Sequence, residues 1–262
     1  MNQSQETAFK TLQFYTTASY PCSYLGGQIA RSQVVTPAHL IDTPSYSALM
    51  RRGFRRSGLF FYRPHCDHCQ ACLSLRLPVA DFQPDRSQKR AWTRHQDLQI
   101  TIKPPLFSSE HFALYQRYQQ ARHHGGGMDA DDVAQYQDFL IDSHVHSMLI
   151  EFRQTSHNDD PGVLKMVSIL DRLDDGMSAV YTFYEPEPGQ CYGTYNVLWQ
   201  INQASAWGLK YLYLGYWVAQ SRKMSYKMRF KPFELLVQNQ WRAMIDLTDI
   251  TALMSENFHK IK

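Results

Sequence analysis

Three consecutive segments decide the fold: Met177-Ser-Ala-Val-Tyr-Thr-Phe-Tyr184, Thr194-Tyr-Asn-Val-Leu-Trp-Gln-Ile-Asn-Gln-Ala-Ser-Ala-Trp207, and Leu209-Lys-Tyr-Leu-Tyr-Leu-Gly215. The first is short and rich in aromatic and β-branched residues, as a strand requires. The second is too long for a strand and stops at Gly208, a helix terminator. The third is again a strand. Together they read β-α-β.

Upstream, Leu98–Ile102 reads as an opening strand. Ser109 reads as the cap of a helix to about His124, with Phe112, Tyr115 and Tyr118 on one face and Gly125 beyond its end. Asp129 reads as the cap of a second helix. Met148–Arg153 and Val163–Asp171 follow as strands, and Asp174-Asp175-Gly176 signals a hairpin into Met177–Tyr184. Downstream come a helix at Val218–Lys227 and a strand after Pro232. The order β-α-α-β-β-β-α-β-α-β is similar to that of the acetyltransferase-like (GNAT) superfamily, a mixed sheet splayed around an acyl-donor cleft. The class is α+β. Those enzymes hold coenzyme A pyrophosphate on a Gln/Arg-x-x-Gly-x-Gly/Ala loop. Gly189-Gln-Cys-Tyr-Gly193 does not match it, so no CoA is expected.

The chain divides near residue 95 into a region 1–94 and a GNAT-like domain 95–262. In the first region Thr43-Pro44 opens a helix in the order cap then proline, ending at Gly53. An aromatic run, Leu59–Tyr62, and an alternating segment, Leu73–Val79, read as extended. Charge is uneven: ten Lys/Arg face three Asp/Glu between Arg51 and Arg94, against seventeen and twenty-one elsewhere. No apolar run approaches the roughly 20 residues that span a bilayer. Met1-Asn-Gln-Ser-Gln-Glu lacks a secretory pattern, so a cytoplasmic protein without membrane partners is expected.

Three of five cysteines, Cys66, Cys69 and Cys72, lie in a Cys-x2-Cys-x2-Cys run. An odd count and a reducing compartment disfavour disulfides. With Cys22 as a distant fourth ligand, the set suits tetrahedral zinc or an iron–sulfur cluster, and counting does not choose between them. The same region interleaves Arg51, Arg52, Arg55, Arg56 and Arg63 with Phe54, Phe60, Phe61 and Tyr62. Guanidinium groups grip phosphates and aromatic rings stack on unpaired bases, which is what an RNA partner needs. A second basic stretch, Lys210–Lys231, holds Arg222, Lys223, Lys227 and Arg229 and no acid.

Short motifs in a fixed order resemble the arginyl-tRNA–protein transferase family, and within it the bacterial aspartate/glutamate leucyltransferase branch. They are Cys22-Ser-Tyr-Leu, Gly53-Phe-Arg-Arg-Ser-Gly58, Tyr62-Arg-Pro-His-Cys66, Ser178-Ala-Val-Tyr-Thr-Phe183, Gly193-Thr-Tyr195, Tyr213-Leu-Gly-Tyr-Trp217 and Lys223-Met-Ser-Tyr-Lys227. The resemblance covers nearly the whole chain. It implies a cysteine-containing N-terminal region joined to a GNAT-like domain. It further implies transfer of leucine from Leu-tRNA to the α-amine of proteins beginning with Asp or Glu, marking them for N-degron degradation. It makes Cys22, Cys66, Cys69 and Cys72 candidates for the family's metal or iron–sulfur site. Where relatives often read Ser-Leu-Gly-Thr-Tyr, this chain has Cys191-Tyr-Gly-Thr-Tyr195.

The implied chemistry starts from an activated ester and an amine of reference pKa near ~7.7–8.0, so positioning supplies most of the catalysis. Tyr181, Tyr195, Tyr216 and Tyr226 are expected along the cleft, with Asp171 orienting the amine. Arg76, Lys223 and Lys227 are the candidate cations for an acidic substrate side chain, and Arg51, Arg52, Arg55 and Arg56 for tRNA. Three alternatives compete: arginyl transfer by the same chemistry, a CoA-dependent acetyltransferase, and a zinc-stapled RNA-binding protein without activity.

Overall fold

A computed structural model describes residues 11–123, 132–155 and 162–244. The first region supplies β1 (Gln13–Thr16), the short pair β2 (Tyr20–Pro21) and β3 (Ile29–Ala30), β4 (Ser32–Thr36), α1 (Thr43–Arg51), β5 (Arg55–Ser57), β6 (Phe60–Pro64) and β7 (Leu73–Pro78). Helix α2 (Arg86–His95) leads to β8 (Leu98–Lys103), α3 (Ser109–His123), and a short α4 (Val133–Tyr136) that runs into a π turn, Gln137–Ile141. Strands β9 (Ser147–Gln154), β10 (Val163–Arg172) and β11 (Gly176–Tyr184) precede α5 (Tyr192–Ala206) and β12 (Tyr211–Trp217). A 3-10 helix, Arg222–Arg229, and the hairpin β13 (Phe233–Val237) and β14 (Gln240–Met244) follow.

The GNAT-like order is present in the eight-stranded mixed sheet, arranged β14-β13-β7-β12-β11-β10-β9-β8. Three details differ from the sequence expectation. The Val218–Lys227 segment is no α-helix: a turn leads into the 3-10 helix Arg222–Arg229, in which Lys227 is buried. Helix α1 is capped by Asp42, whose carboxylate accepts from the Ser45 N–H at 2.9 Å, one residue before Thr43. Asp129 lies outside the described residues, and the cap before α4 is Asp132. The division at residue 95 does not coincide with a break in the sheet, because β7 sits between β12 and β13. A separate sheet, β1-β4-β6-β5, packs beside it. Among the described residues no helix is long and apolar enough to cross a membrane.

The sheet opens where its one parallel pair begins to part. β11 and β12 share three pairs, ending at Ser178↔Tyr213. Immediately beyond, the β10 register skips Val180 on β11, and the β7 register skips Leu214 on β12. A bulge bends its strand and increases its twist. Two bulges at one level turn the neighbours apart.

A buried ion pair ties the first region to this sheet. Arg56 reaches Asp171 through Nε–Oδ2 at 2.9 Å and Nη2–Oδ1 at 2.8 Å, with both side chains fully buried. Tyr46 donates to Oδ2 at 2.9 Å and Ser147 to Oδ1 at 2.5 Å. Arg56 Nη1 also donates to the carbonyls of Gly58 and Asp142. Burial alone would lower the guanidinium pKa; Asp171 holds it above its ordinary value. Around the network pack Leu49, Met50, Phe54 and Phe61 with Leu173 and Tyr213. This corrects two expectations: Asp171 does not face a substrate, and Arg56 does not face a nucleic acid. Asp171→Asn leaves the buried guanidinium without a counter-charge, at an expected cost of about 3–5 kcal/mol. Urea unfolding should show this as a lowered midpoint at unchanged slope; a midpoint equal to wild type contradicts the assignment.

Candidate active site

The parted strands open a cleft of about 720 Å³. Its walls are Ala179–Thr182 of β11, Leu214 and Tyr216 of β12, the start of α5, and the 3-10 helix from Lys223 to Arg229. Tyr24, Arg55, Ser57 and Tyr62 from the first region line it as well, as does Arg56, whose side chain is itself fully buried.

Strand alternation sends neighbouring side chains to opposite sides. Arg56 therefore enters the core while Arg55 enters the base of the cleft. Arg55 Nη2 donates to the carbonyl of Ala179 at 2.7 Å and lies 3.4 Å from that of Val180. These carbonyls lie where β11 has lost its partner, and a buried carbonyl needs a donor. Across the gap the guanidinium lies on Gly215, where an added Cβ would stand 1.4 Å from Nη1. Gly215 also has φ +77°, a left-handed conformation that glycine adopts without strain. Arg55 braces both strands.

Lys227 lies beside this brace. Its Nζ donates to the Tyr216 carbonyl, and among the described residues no carboxylate pairs with it. Burial first, and then the Arg55 charge, push the ammonium down to about 7. The Tyr216 hydroxyl lies 2.9 Å from the Gly53 carbonyl and 3.2 Å from that of Tyr62, and burial holds its pKa well above the usual phenol value. Tyr181 receives a hydrogen bond from Gln119 Nε2 at 2.9 Å, and Tyr226 is partly exposed at the mouth. Arg122, Lys223 and Arg229 are exposed on the rim. The acid in the wall, Glu187, pairs with Lys165 at 2.7 Å, which holds it below the usual carboxylate range. The cleft is cationic and suits a polyanion.

The structure thus brings Tyr181, Tyr226, Lys223, Lys227 and Arg55 together. Three other expectations are corrected. Tyr195 is buried among Trp92, His95 and Phe152, and burial raises its hydroxyl to about 12. Arg76 is buried on Glu234 at 2.6 Å and stacked over Tyr211 and Trp241. Arg51 pairs with Asp175 at 3.4 Å and Arg52 is exposed outside the cleft wall, so the four arginines form no single strip. Sequence reading missed Tyr24, Arg122, Glu187 and Gln200 in the wall. Only the glycine inside a strand, Gly215, signalled a close backbone approach.

The cysteines form a second cluster. Cys22 Sγ accepts from the N–H groups of Tyr24 at 3.5 Å and Leu25 at 3.4 Å, and Cys66 bridges Cys69 through the backbone. Burial, with the neighbouring thiols Cys22, Cys69 and Cys66, pushes the Cys72 thiol up to about 12. Binding of a metal cation would displace that proton. Among the described residues no three His, Cys, Asp or Glu side chains already converge in metal-binding geometry. The donor chemistry fits a soft metal, and binding would draw the thiols together.

Residues 20–90 match the family model described as arginine-tRNA-protein transferase, N terminus, and residues 110–237 match that of its C terminus. The aspartate/glutamate leucyltransferase of Nitrosospira multiformis is 53% identical over 250 residues, covering 95% of this chain and 97% of that protein. The aspartate/glutamate leucyltransferase of Chromobacterium violaceum is 52% identical, covering 93% and 99%. Among solved structures, FemX superposes with a TM-score of 0.48 at 10% identity, over 95% of this chain and 92% of that one, a likeness too loose to argue from. With both halves of the family pattern in order, and relatives of this identity aligned nearly end to end, the chain belongs to the arginine-tRNA-protein transferase family and is an aminoacyltransferase.

Proposed function

We propose that this chain moves leucine from Leu-tRNA to the α-amine of proteins beginning with Asp or Glu, marking them for N-degron degradation. The observation that carries the reading is the cationic cleft at the parted strands, in a chain whose relatives bear the leucyltransferase name. Arg122, Lys223 and Arg229 on the rim supply the positive charge that the phosphates of a tRNA end require. Lys223 also offers the charge that an acidic first residue requires. Lys227, with its amine near neutrality, is poor as a permanent cation and suited to proton transfer.

In the step itself the acceptor nitrogen attacks the ester carbonyl and forms a C–N bond. Its ammonium proton passes to Lys227 Nζ. Collapse breaks the bond to the ribose oxygen, and that oxygen takes the proton from Lys227. No external energy source enters, and CoA has no part. At the second cluster, Cys22, Cys66, Cys69 and Cys72 would hold zinc or an iron–sulfur cluster, which would fix the first region's loops as their thiolates.

Charged Leu-tRNA and Arg-tRNA, each offered with peptides starting in Asp, Glu or Ala, test the transfer by mass spectrometry. Leucine is expected on the Asp and Glu peptides alone; unchanged acidic peptides with intact Leu-tRNA overturn the reading, and arginine addition favours the arginyl alternative. With saturating substrates the rate should rise through about pH 7, where Lys227 loses its proton. Lys227→Met should fall by roughly 10²–10⁴-fold and keep only the rise of the acceptor amine near ~7.7–8.0; an unchanged rate and profile remove its role. Anaerobically purified protein should carry zinc or iron, and Cys66→Ser with Cys69→Ser should release it and lower the melting temperature. Wild-type protein with neither metal contradicts the cluster.

A further inference from the structure

Gln200 lies on α5 in the wall of the cleft and is fully buried, yet neither its Oε1 nor its Nε2 has a hydrogen-bond partner. Buried polar atoms without partners are uncommon, and both ends of one amide more so. The same helix shows what a structural amide looks like here. Asn196, one turn earlier, accepts from Ser168 at 2.6 Å and donates to Thr182 at 2.9 Å. Gln200 has no such arrangement with the sheet. It lies instead in the wall formed with Val197 and with Val180 and Leu214, the two residues bulged out where β11 and β12 separate.

We infer that Gln200 is the polar anchor for the donor's aminoacyl group, its Oε1 accepting from the leucyl α-amine and its Nε2 donating to the ester carbonyl. A primary amide presents a donor and an acceptor side by side, and an α-amino ester presents the complementary pair. Arg55 and Lys227 offer donors to the cleft interior, and the wall carboxylate Glu187 is already engaged by Lys165 and Tyr192, whereas Gln200 Oε1 is an acceptor that nothing yet engages. Val180, Val197 and Leu214 give the aliphatic side chain an apolar surface. A site that relies on such a pairing discriminates against a ligand lacking one partner, because its own buried group is then left unpaired.

This inference rests on leucyl transfer as the activity, and the test separates the two. tRNA charged with leucine is compared with tRNA esterified to 4-methylpentanoate, which has the same carbon skeleton without the α-amine. Both are measured on one Asp-starting peptide with wild type, Gln200→Leu and Gln200→Met. Wild type should prefer the leucyl donor. Both variants should lose at least tenfold in kcat/KM on the leucyl donor and clearly less on the deaminated one, which keeps only the ester-carbonyl contact, so that the preference shrinks. Their melting temperatures should equal or exceed wild type, since an unpaired buried amide has been removed. Equal losses on both donors, or an unaltered preference, overturn the anchor. Absence of leucyl transfer by wild type overturns instead the activity on which it rests.

Discussion

The contact between Arg56 and Asp171 fixes the relation between the two regions of the chain. Two charges without access to water are tolerated only when paired and fully hydrogen-bonded, and here Tyr46, Ser147 and the carbonyls of Gly58 and Asp142 complete the set. The arrangement fixes β5 of one sheet against β10 of the other. Once Arg56 is held in the core, strand alternation leaves Arg55 on the other side, at the base of the cleft. There it meets the carbonyls that the separation of β11 and β12 leaves without partners. One dipeptide joins the regions and braces the active site.

The cleft combines positive charge with a floor of bulged apolar residues. Exposed cations at the rim attract a polyanion over a distance set by salt, while Lys227, buried beside Arg55, has its proton affinity lowered to the range where an amine both takes and returns a proton. Gln200 is the uncharged polar group in the wall whose amide has no partner. In the proposed reaction, attraction, proton transfer and recognition of the aminoacyl group fall to different depths of one cavity. The cysteine cluster lies outside that sequence of events, in the loops that support Tyr24 and Tyr62.

The GNAT-like order was legible because its strands and helices differ in length, periodicity and terminators; β11, for example, begins one residue from where Met177–Tyr184 places it. Helix α2 was not seen, since Arg86–His95 is almost wholly polar and shows itself only through the Asp85–Gln88 capping box. The insertion of β7 between β12 and β13 depends on contacts far apart in sequence. At the site, residue type pointed to arginines, lysines and tyrosines but could not say which way each one faces. Arg55 and Arg56 look alike in the sequence and have opposite fates. Asp171 and Arg76 were drawn to the cleft by their charge, whereas each is buried and paired with a residue far away in sequence, Arg56 and Glu234 respectively.

The central claim is that the aminoacyl end of the tRNA enters between the parted strands. A Leu-tRNA carrying a photoreactive group on its 3′-terminal adenosine, crosslinked to the intact protein and mapped by mass spectrometry, tests it most directly. The account predicts adducts on cleft residues such as Lys223, Met224, Tyr226 and Tyr181. Adducts confined to the outer face of the β1-β4-β6-β5 sheet would contradict it.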